Sequence, residues 1–204
     1  MLEYLIFGIS FAFAAAVQPG PLQTYIISQS LKRGWRATLP AAFAPLISDV
    51  PILILVLFLL KNVPENFTIV LRISGGFFLL YLGFKAFLSW NKYYTEKNVS
   101  DESLKQTLMK AVIVNLLNPN PYLGWSLIMG PLFLEGWAIA PVNGIVMIIG
   151  FYSTMIITLA GTIFLFSFAQ KLGPKITKTM LGISAAVLFA FGIYQLYIGI
   201  IYYI

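Results

Sequence analysis

The chain has 204 residues, of which 59% are apolar and 10% are charged, and its mean hydropathy is +0.87. It contains neither cysteine nor histidine, which excludes disulfides, thiol redox chemistry, thiolate metal sites and imidazole acid/base catalysis. The net charge of +6 comes from basic residues in short segments between apolar runs, where they act as topology signals, so nucleic-acid binding is not expected. This composition is typical of an integral membrane protein.

Six apolar runs follow one another along the chain, and each is long enough to cross a bilayer as a helix. They cover about residues 2–28, 37–60, 69–89, 107–131, 138–168 and 176–202. A polar segment at 90–106 divides the chain almost in half, and the remaining connections are short. We therefore predict an all-α integral membrane protein with six transmembrane helices in a single membrane domain, residues 1–204.

Basic residues are distributed unevenly between alternate connecting segments. Lys61 and Arg72 flank the second segment, whereas the other eleven flank the first, third and fifth, which include the segments 32–36 and 171–175. Because lysine and arginine accumulate on the cytoplasmic side of membrane proteins, these three segments are predicted to be cytoplasmic. Both termini are then outside, and the expected location is the cell (inner) membrane, which the chain crosses several times.

The first apolar run contains Pro19-Gly20-Pro21 deep within it, flanked by Gln18 and Gln23. Proline removes a backbone donor and clashes with the carbonyl four residues earlier, so the helix should break here. Freed carbonyls are tolerated in a membrane only where protein or a water-filled cavity satisfies them. For one such break, a packed kink and a binding site are equally good interpretations.

The second run carries Asp49 near its middle, followed by Pro51. Asp49 is the only acidic residue in the interior of any run, and a charge there costs about 2.5–3.5 kcal/mol on insertion scales. Such residues usually face a cavity and mark an ion or substrate path. The alternative role is a protonated, hydrogen-bonding strut. We expect Asp49 to be a proton-coupling residue.

The fourth run repeats the pattern of the first, with Asn118-Pro119-Asn120-Pro121 one turn after Asn115. Each half of the chain holds three runs, an odd number, so the second half enters the membrane in the opposite sense. The pattern predicts two inverted three-helix repeats, about 1–95 and 105–204, the usual plan of secondary transporters. Two matching breaks would meet near the midplane and form a substrate site, whose predicted members are Gln18, Pro19, Gly20, Pro21, Gln23, Asn115, Asn118, Pro119, Asn120 and Pro121.

The last two runs contain small residues at helical spacing. Gly150, Thr154, Thr158 and Thr162 share one helix face, as do Gly182, Ala186 and Ala190. Small and hydroxyl residues let membrane helices approach closely, so both stripes are interpreted first as packing seams. The threonine stripe is also compatible with a polar path, and the seams are compatible with a homodimer.

Taken in order, these motifs resemble the lysine exporter (LysE/RhtB) family over nearly the whole chain. The motifs that carry the resemblance are Pro19-Gly20-Pro21, Ser30-Leu31-Lys32-Arg33-Gly34, Asp49, Gly75-Gly76, Tyr81-Leu82-Gly83 and Asn115-Leu116-Leu117-Asn118-Pro119. The resemblance implies export of amino acids, typically coupled to the proton gradient. The sequence departs from the family pattern at Leu22, where a small polar residue is frequent, and at Asn120-Pro121, where lysine or arginine often follows.

Three classes of function compete for these features. An exporter of amino acids or related small metabolites by proton antiport needs an inverted repeat, paired breaks and a buried carboxylate, all of which the sequence predicts. A membrane-embedded hydrolase or transferase needs a nucleophile and base or clustered acids, so we do not expect an enzyme. An ion or metal transporter or channel of similar build remains the alternative. The expected partners are a small-molecule substrate and the lipid bilayer, with no cofactor and no bound metal.

Overall fold

A computed structural model describes residues 1–59, 65–91, 103–169 and 173–201, and every regular element in these ranges is helical. The α-helices are α1 Leu2–Val17, α2 Pro21–Thr38, α3 Ala44–Leu59, α4 Glu65–Asn91, α5 Leu104–Leu116, α6 Pro119–Gly124, α7 Gly130–Ile139, α8 Pro141–Ala169 and α9 Pro174–Ile201. A 3-10 segment, Leu39–Phe43, joins α2 to α3, and a π-helical segment, Trp125–Met129, joins α6 to α7. Parts of the predicted connections, at 61–64, 92–102 and 171–172, lie outside the described residues.

Both proline motifs interrupt their helices, as the sequence predicts. The helix α1 ends at Val17, and α2 begins at Pro21 after the extended residue Gly20. Likewise α5 ends at Leu116, and α6 begins at Pro119. Proline suits the first position of a helix because its missing N–H has no intrahelical partner there and its φ is already helical. The first and fourth apolar runs are therefore each divided into separate helices.

The predicted connection at residues 32–36 is present but is reduced to one residue. Gly34 is non-helical, with φ 77° and ψ 175°, and it separates two helices within the range Pro21–Thr38. Glycine adopts this left-handed conformation without the strain that a Cβ would add. After Gly34 the chain continues as helix into the 3-10 segment and then into α3 without a further loop. The basic residues therefore lie where one helix ends and the next begins.

Three helical segments of the described chain are long and apolar enough to cross a membrane. They are Pro21–Val56, Pro141–Ala169 and Pro174–Ile201, and α1 is a shorter apolar helix. Large apolar side chains are exposed on these segments, including Ile157 at 70% and Leu165 at 68%. An exposed apolar surface of this kind fits contact with lipid. The number of spans thus stays a prediction, while the all-helical, apolar architecture is observed.

Two long helix pairs form the frame of the molecule. The helix α4 packs along α9, and α1 packs along α8, while α2 contacts both α8 and α9. The pair α4–α9 is in close contact at its glycines: a Cβ on Gly192 would lie 3.1 Å from the carbonyl oxygen of Gly76. The shorter elements α3, α5 and α6 pack against one another beside this frame. This arrangement brings the two helix breaks towards α3.

Candidate functional site

A cavity of about 150 Å³ lies where the two helix breaks approach α3. Three places in the chain contribute to its lining: Gln18, Pro19, Gly20 and Gln23 at the first break, Asn115, Asn118, Asn120 and Pro121 at the second, and Asp49 with Pro45 on α3. We call it the break cavity. Pro21 and Pro119, which were predicted to belong to the same set, start their helices but do not line this cavity.

The backbone groups freed at the first break are satisfied by neighbouring polar groups. The Nε2 group of Gln23 donates to the carbonyl oxygen of Ala15 over 3.0 Å, which is the carbonyl that Pro19 leaves without its usual helical donor. The backbone N–H of Gln18 donates to Ala14 over 3.0 Å and closes the last turn of α1. One face of the Gln23 amide therefore stabilises the break, and the residue also lines the cavity.

The second break is stabilised in a similar way. The backbone N–H of Asn118 donates to the carbonyl oxygen of Asn115 over 3.2 Å, and the hydroxyl of Tyr122 donates to that of Leu116 over 2.9 Å. The side chain of Asn118 caps α6 by accepting the backbone N–H of Asn120 over 3.1 Å. These bonds hold an irregular backbone at the cavity wall, which is where a membrane protein tolerates one.

Asp49 is 3% exposed, and its carboxyl group has four hydrogen-bond partners. Oδ2 accepts from Trp125 Nε1 over 3.2 Å and from the Tyr152 hydroxyl over 3.4 Å. Oδ1 accepts from Asn115 Nδ2 over 3.2 Å and from the Ser48 hydroxyl over 3.4 Å. A buried carboxylate is stable only when its oxygens are paired in this way.

The four partners differ in what they can do if the carboxyl group gains a proton. Trp125 and Asn115 offer only N–H groups to Asp49, so they favour the carboxylate. The Tyr152 hydroxyl can reverse and accept a hydrogen bond from the neutral acid, whereas the Ser48 hydroxyl is held by the Ala44 carbonyl oxygen, 2.9 Å away. Tyr152 is therefore able to bond to Asp49 in either protonation state.

Sequence reasoning missed Trp125 and Tyr152. Trp125 begins the π-helical segment, and its ring packs against Phe151 with the centroids 5.5 Å apart. Phe151 in turn packs edge-on against Tyr152 at 5.0 Å. With Phe11 and Met155, Phe151 also contributes to the apolar wall of the cavity. A tyrosine in the middle of the fifth apolar run was an available signal, because its hydroxyl needs a polar partner when buried.

The chemistry of the break cavity is that of a small polar binding site. Among the described residues, no three His, Cys, Asp or Glu side chains come close enough together to hold a metal ion. Asp49 contributes a negative charge or an exchangeable proton, and the amides of Gln18, Asn118 and Asn120 can donate or accept hydrogen bonds. A solute that carries both an ammonium and a carboxylate would find a complementary group for each.

Comparison with protein families gives one extensive match. The family model described as LysE type translocator matches residues 13–199. No solved structure matches the chain. The matched range contains both helix breaks, Asp49 and every residue described above as a hydrogen-bond partner of Asp49. The similarity noted from the motifs therefore extends over nearly the whole chain.

Proposed function

Because the chain belongs to the LysE type translocator family, we propose that it exports an amino acid or a closely related metabolite in exchange for protons across the cell inner membrane. The family assignment itself implies a membrane-embedded exporter of amino acids or related compounds, not an enzyme. The observation that carries the finer proposal is the position of Asp49. It is the one carboxylate lining the break cavity among the described residues, and four side chains hold it in place.

The proposed architecture is a pair of inverted repeats in a six-span protein with both termini outside. Each half of the chain contains one proline-interrupted helix, and each half ends in a long helix, α4 or α9, which pack against each other. The distribution of basic residues supports the proposed orientation. In this arrangement the break cavity lies near the bilayer midplane, which is the usual position of a transporter's substrate site.

We place the substrate with its ammonium towards Asp49 and its carboxylate towards the amides of the two breaks. Asn118 caps α6 through Oδ1, so its Nδ2 group is the part that can bind a carboxylate. The N-terminus of α2 at Gly20 adds a favourable dipole for an anionic group. This pose uses the amides of Gln18 and Asn120 as further donors.

An incoming ammonium must take the place of one of the four partners of Asp49, since two carboxylate oxygens accept about four hydrogen bonds. Ser48 and Tyr152 make the longest bonds, each 3.4 Å. The Ser48 hydroxyl is also bound to the Ala44 carbonyl over 2.9 Å and accepts from Asn115 over 2.7 Å, which fixes it. Tyr152 is therefore the partner that we expect the substrate to replace.

Proton exchange at Asp49 supplies the driving force in this mechanism. A bound ammonium favours the carboxylate, so the proton leaves towards the cytoplasm when substrate binds. After the substrate leaves on the outer side, burial favours the neutral acid, and a proton is taken up there. Each proton that crosses 100 mV inward provides about 2.3 kcal/mol, enough for roughly a fiftyfold solute gradient.

An ion or metal transporter or a channel fits the same observations less well. A metal or alkaline-earth cation needs several oxygen ligands that accept, whereas the four side chains around Asp49 donate to it. A flux measurement that varies ΔpH and solute separately distinguishes the two functions. The exporter accumulates solute outside in response to ΔpH, and a channel does not.

The test of the proposed function is efflux from cells loaded with a mixture of amino acids. Cells that express the chain are compared with cells that lack it, and the external medium is analysed over time. We expect one amino acid, or a chemically related group, to leave faster when the chain is present. If no amino acid leaves faster, although the protein is in the membrane at a normal level, the proposal is wrong.

A further inference from the structure

The break cavity has a polar part and an apolar part, and the mechanism proposed above uses only the polar part. The polar part consists of Asp49 and the amides of the two helix breaks. The apolar part comes from three helices, α1, α2 and α8, and we call its five side chains the apolar wall. They are Phe11 and Ala15 on α1, Leu22 on α2, and Phe151 and Met155 on α8.

The apolar wall is built at the contact between α1 and α8. Phe11 and Ala15 are four residues apart, as are Phe151 and Met155, and residues at this spacing share one face of a helix. The two helices pack along each other, and the rings of Phe11 and Phe151 are stacked with their centroids 6.3 Å apart. Packing of two long helices therefore fixes the shape of this part of the cavity, independently of the breaks.

The cavity offers a counter-ion for one charged group of a solute only. Among the described residues that line it, Asp49 is the one carboxylate, and none is lysine or arginine. In the pose proposed above, the α-ammonium of the solute occupies Asp49. A charge on the side chain of the solute would then be buried without a partner, which is costly. An aliphatic side chain gains free energy when it leaves water for the apolar wall.

The volume of the cavity sets a limit on the size of the solute. An apolar protein cavity of about 150 Å³ accommodates benzene, and the break cavity has about the same volume. A solute with a compact aliphatic side chain fits such a space, whereas a solute with an indole ring does not.

We propose that the apolar wall is the binding site for the side chain of the exported solute, and that this solute is a neutral amino acid with a compact aliphatic side chain. The inference rests on the proposed function and narrows its substrate class. Lysine, arginine, aspartate and glutamate are rejected because their side-chain charge has no partner at the wall. Threonine is rejected less strongly than these, since an apolar pocket discriminates against an added hydroxyl by about a hundredfold at most.

The first measurement is export from cells loaded with an equimolar mixture of the proteinogenic amino acids. We expect valine, leucine, isoleucine and methionine to leave fastest, and the four amino acids with charged side chains to be retained. If one of those four leaves as fast as valine, the inference is wrong while the proposed function stands. If no amino acid is exported, the proposed function fails, and the inference fails with it.

The second measurement uses the unbranched series alanine, α-aminobutyrate, norvaline and norleucine as competitors of valine export from vesicles. Each methylene group that is buried against the wall should lower the half-inhibitory concentration by about fourfold, until the cavity is full. A half-inhibitory concentration that does not change from alanine to norvaline would show that the side chain does not contact an apolar surface, contrary to the inference.

The third measurement is the ratio of valine export to threonine export, taken in one preparation so that the amount of folded protein cancels. Met155→Gln places an amide of similar size in the wall and should lower this ratio about tenfold. Met155→Leu keeps the wall apolar and should retain the ratio. Met147→Gln is the matched control, because Met147 is a buried methionine of the same helix that does not line the cavity.

Leu22→Ser is a second variant of the wall, on another helix, and should lower the same ratio. It provides the test if Met155→Gln does not reach the membrane. A wild-type ratio in whichever of these two variants is in the membrane overturns the inference. An equal fall in Met147→Gln also overturns it, because the effect would then not come from contact with the solute.

Discussion

The α4–α9 pair and the broken helices around the break cavity satisfy their backbone hydrogen-bonding groups in opposite ways. The helices α4 and α9 are 27 and 28 residues long, and they satisfy their backbone groups internally. They associate through glycines, since a Cβ on Gly76 would lie 2.7 Å from the Leu196 Cγ and 3.0 Å from the Gly192 carbonyl oxygen. Close packing of small residues is the main source of helix association where lipid is as apolar as the side chains.

The broken helices lose intrahelical bonds and replace them with side-chain donors. Gln23 and Tyr122 bind freed carbonyls, and Asn115 and Trp125 bind the carboxyl group of Asp49. At the breaks, backbone polar groups reach the cavity wall, whereas a continuous helix would present only its side chains there. The comparison indicates that the frame provides stability and the breaks provide the site, so substitutions in the two regions should affect different measurements.

The largest effect is expected from Asp49→Asn. Asparagine keeps the size and can still bond to its neighbours, but it cannot release a proton, so the variant should fold and lose uphill export. The lost driving force corresponds to a gradient of roughly fiftyfold at 100 mV. The measurement is solute accumulation outside vesicles under an imposed ΔpH. Glu135→Gln, which changes an exposed carboxylate of α7, is the control and should retain export. If Asp49→Asn still concentrates solute in response to ΔpH, then Asp49 is only a strut.

Gly192→Ala tests the frame. The new Cβ would lie 2.9 Å from the Leu80 Cγ and 3.1 Å from the Gly76 carbonyl oxygen, so the Leu80 side chain must move and the α4 backbone must shift slightly. Overpacking of this kind costs about 1–3 kcal/mol of unfolding free energy. Thermal unfolding in detergent should show a lower midpoint, while the half-saturating concentration for export is unchanged. The control is Gly161→Ala, because a Cβ there meets nothing within 4 Å. Equal midpoints for the two variants would contradict the proposed role of the glycine contact between α4 and α9.

Gln23→Met tests whether a residue of the break contributes to stability as well as to the site. It removes the donor to the Ala15 carbonyl, and a carbonyl without its bond costs about 1–2 kcal/mol when buried. We expect a lower unfolding midpoint together with weaker export. Gln18→Met changes another amide of the same cavity, one without a side-chain hydrogen bond in the described structure, and should affect export alone. A Gln23 variant with wild-type stability would show that solvent replaces the amide.

Tyr152→Phe should have the smallest effect of the four variants. It should improve substrate binding, whereas the other three weaken export or stability. The ring and its packing against Phe151 are kept, and the 3.4 Å bond to Asp49 is lost. If the substrate ammonium replaces the Tyr152 hydroxyl, removing that hydroxyl should lower the half-saturating concentration, by about twofold to tenfold for a bond of about 0.5–1.5 kcal/mol. Trp125→Phe, which removes a donor that the substrate does not replace, should not lower it. A higher value for Tyr152→Phe would refute the exchange.

The positions of the helix breaks could be predicted from the sequence because proline acts on its own helix. The effect of Pro19 and Pro119 depends only on backbone atoms within four residues, which the sequence specifies. The position of Pro21 relative to its neighbours depends on tertiary packing. Pro21 begins α2, and it lines a smaller space beside Gly75 and Leu117 rather than the break cavity.

The partners of Asp49 could not be predicted in the same way. Trp125 and Tyr152 are 76 and 103 residues away from it in the chain, so their contact depends on how the π-helical segment and α8 pack against α3. The connection at residues 32–36 was predicted in its place but not in its length. Adjacent lysine and arginine indicated a loop of five residues, whereas one glycine with positive φ is enough to separate the two helices.

The π-helical segment Trp125–Met129 changes the direction in which the side chains before it point around the helix axis. A π turn holds one residue more than an α turn, and one residue corresponds to about 100° of rotation about the axis. Residues before the segment are therefore turned relative to α7 by an amount that an unbroken α-helix could not give. Deletion of one residue within the segment would restore the α phase and turn Trp125 away from Asp49, with α7 left in place. The extra residue thus rotates the preceding helix about its axis, and this rotation directs the Trp125 indole towards the Asp49 carboxyl group.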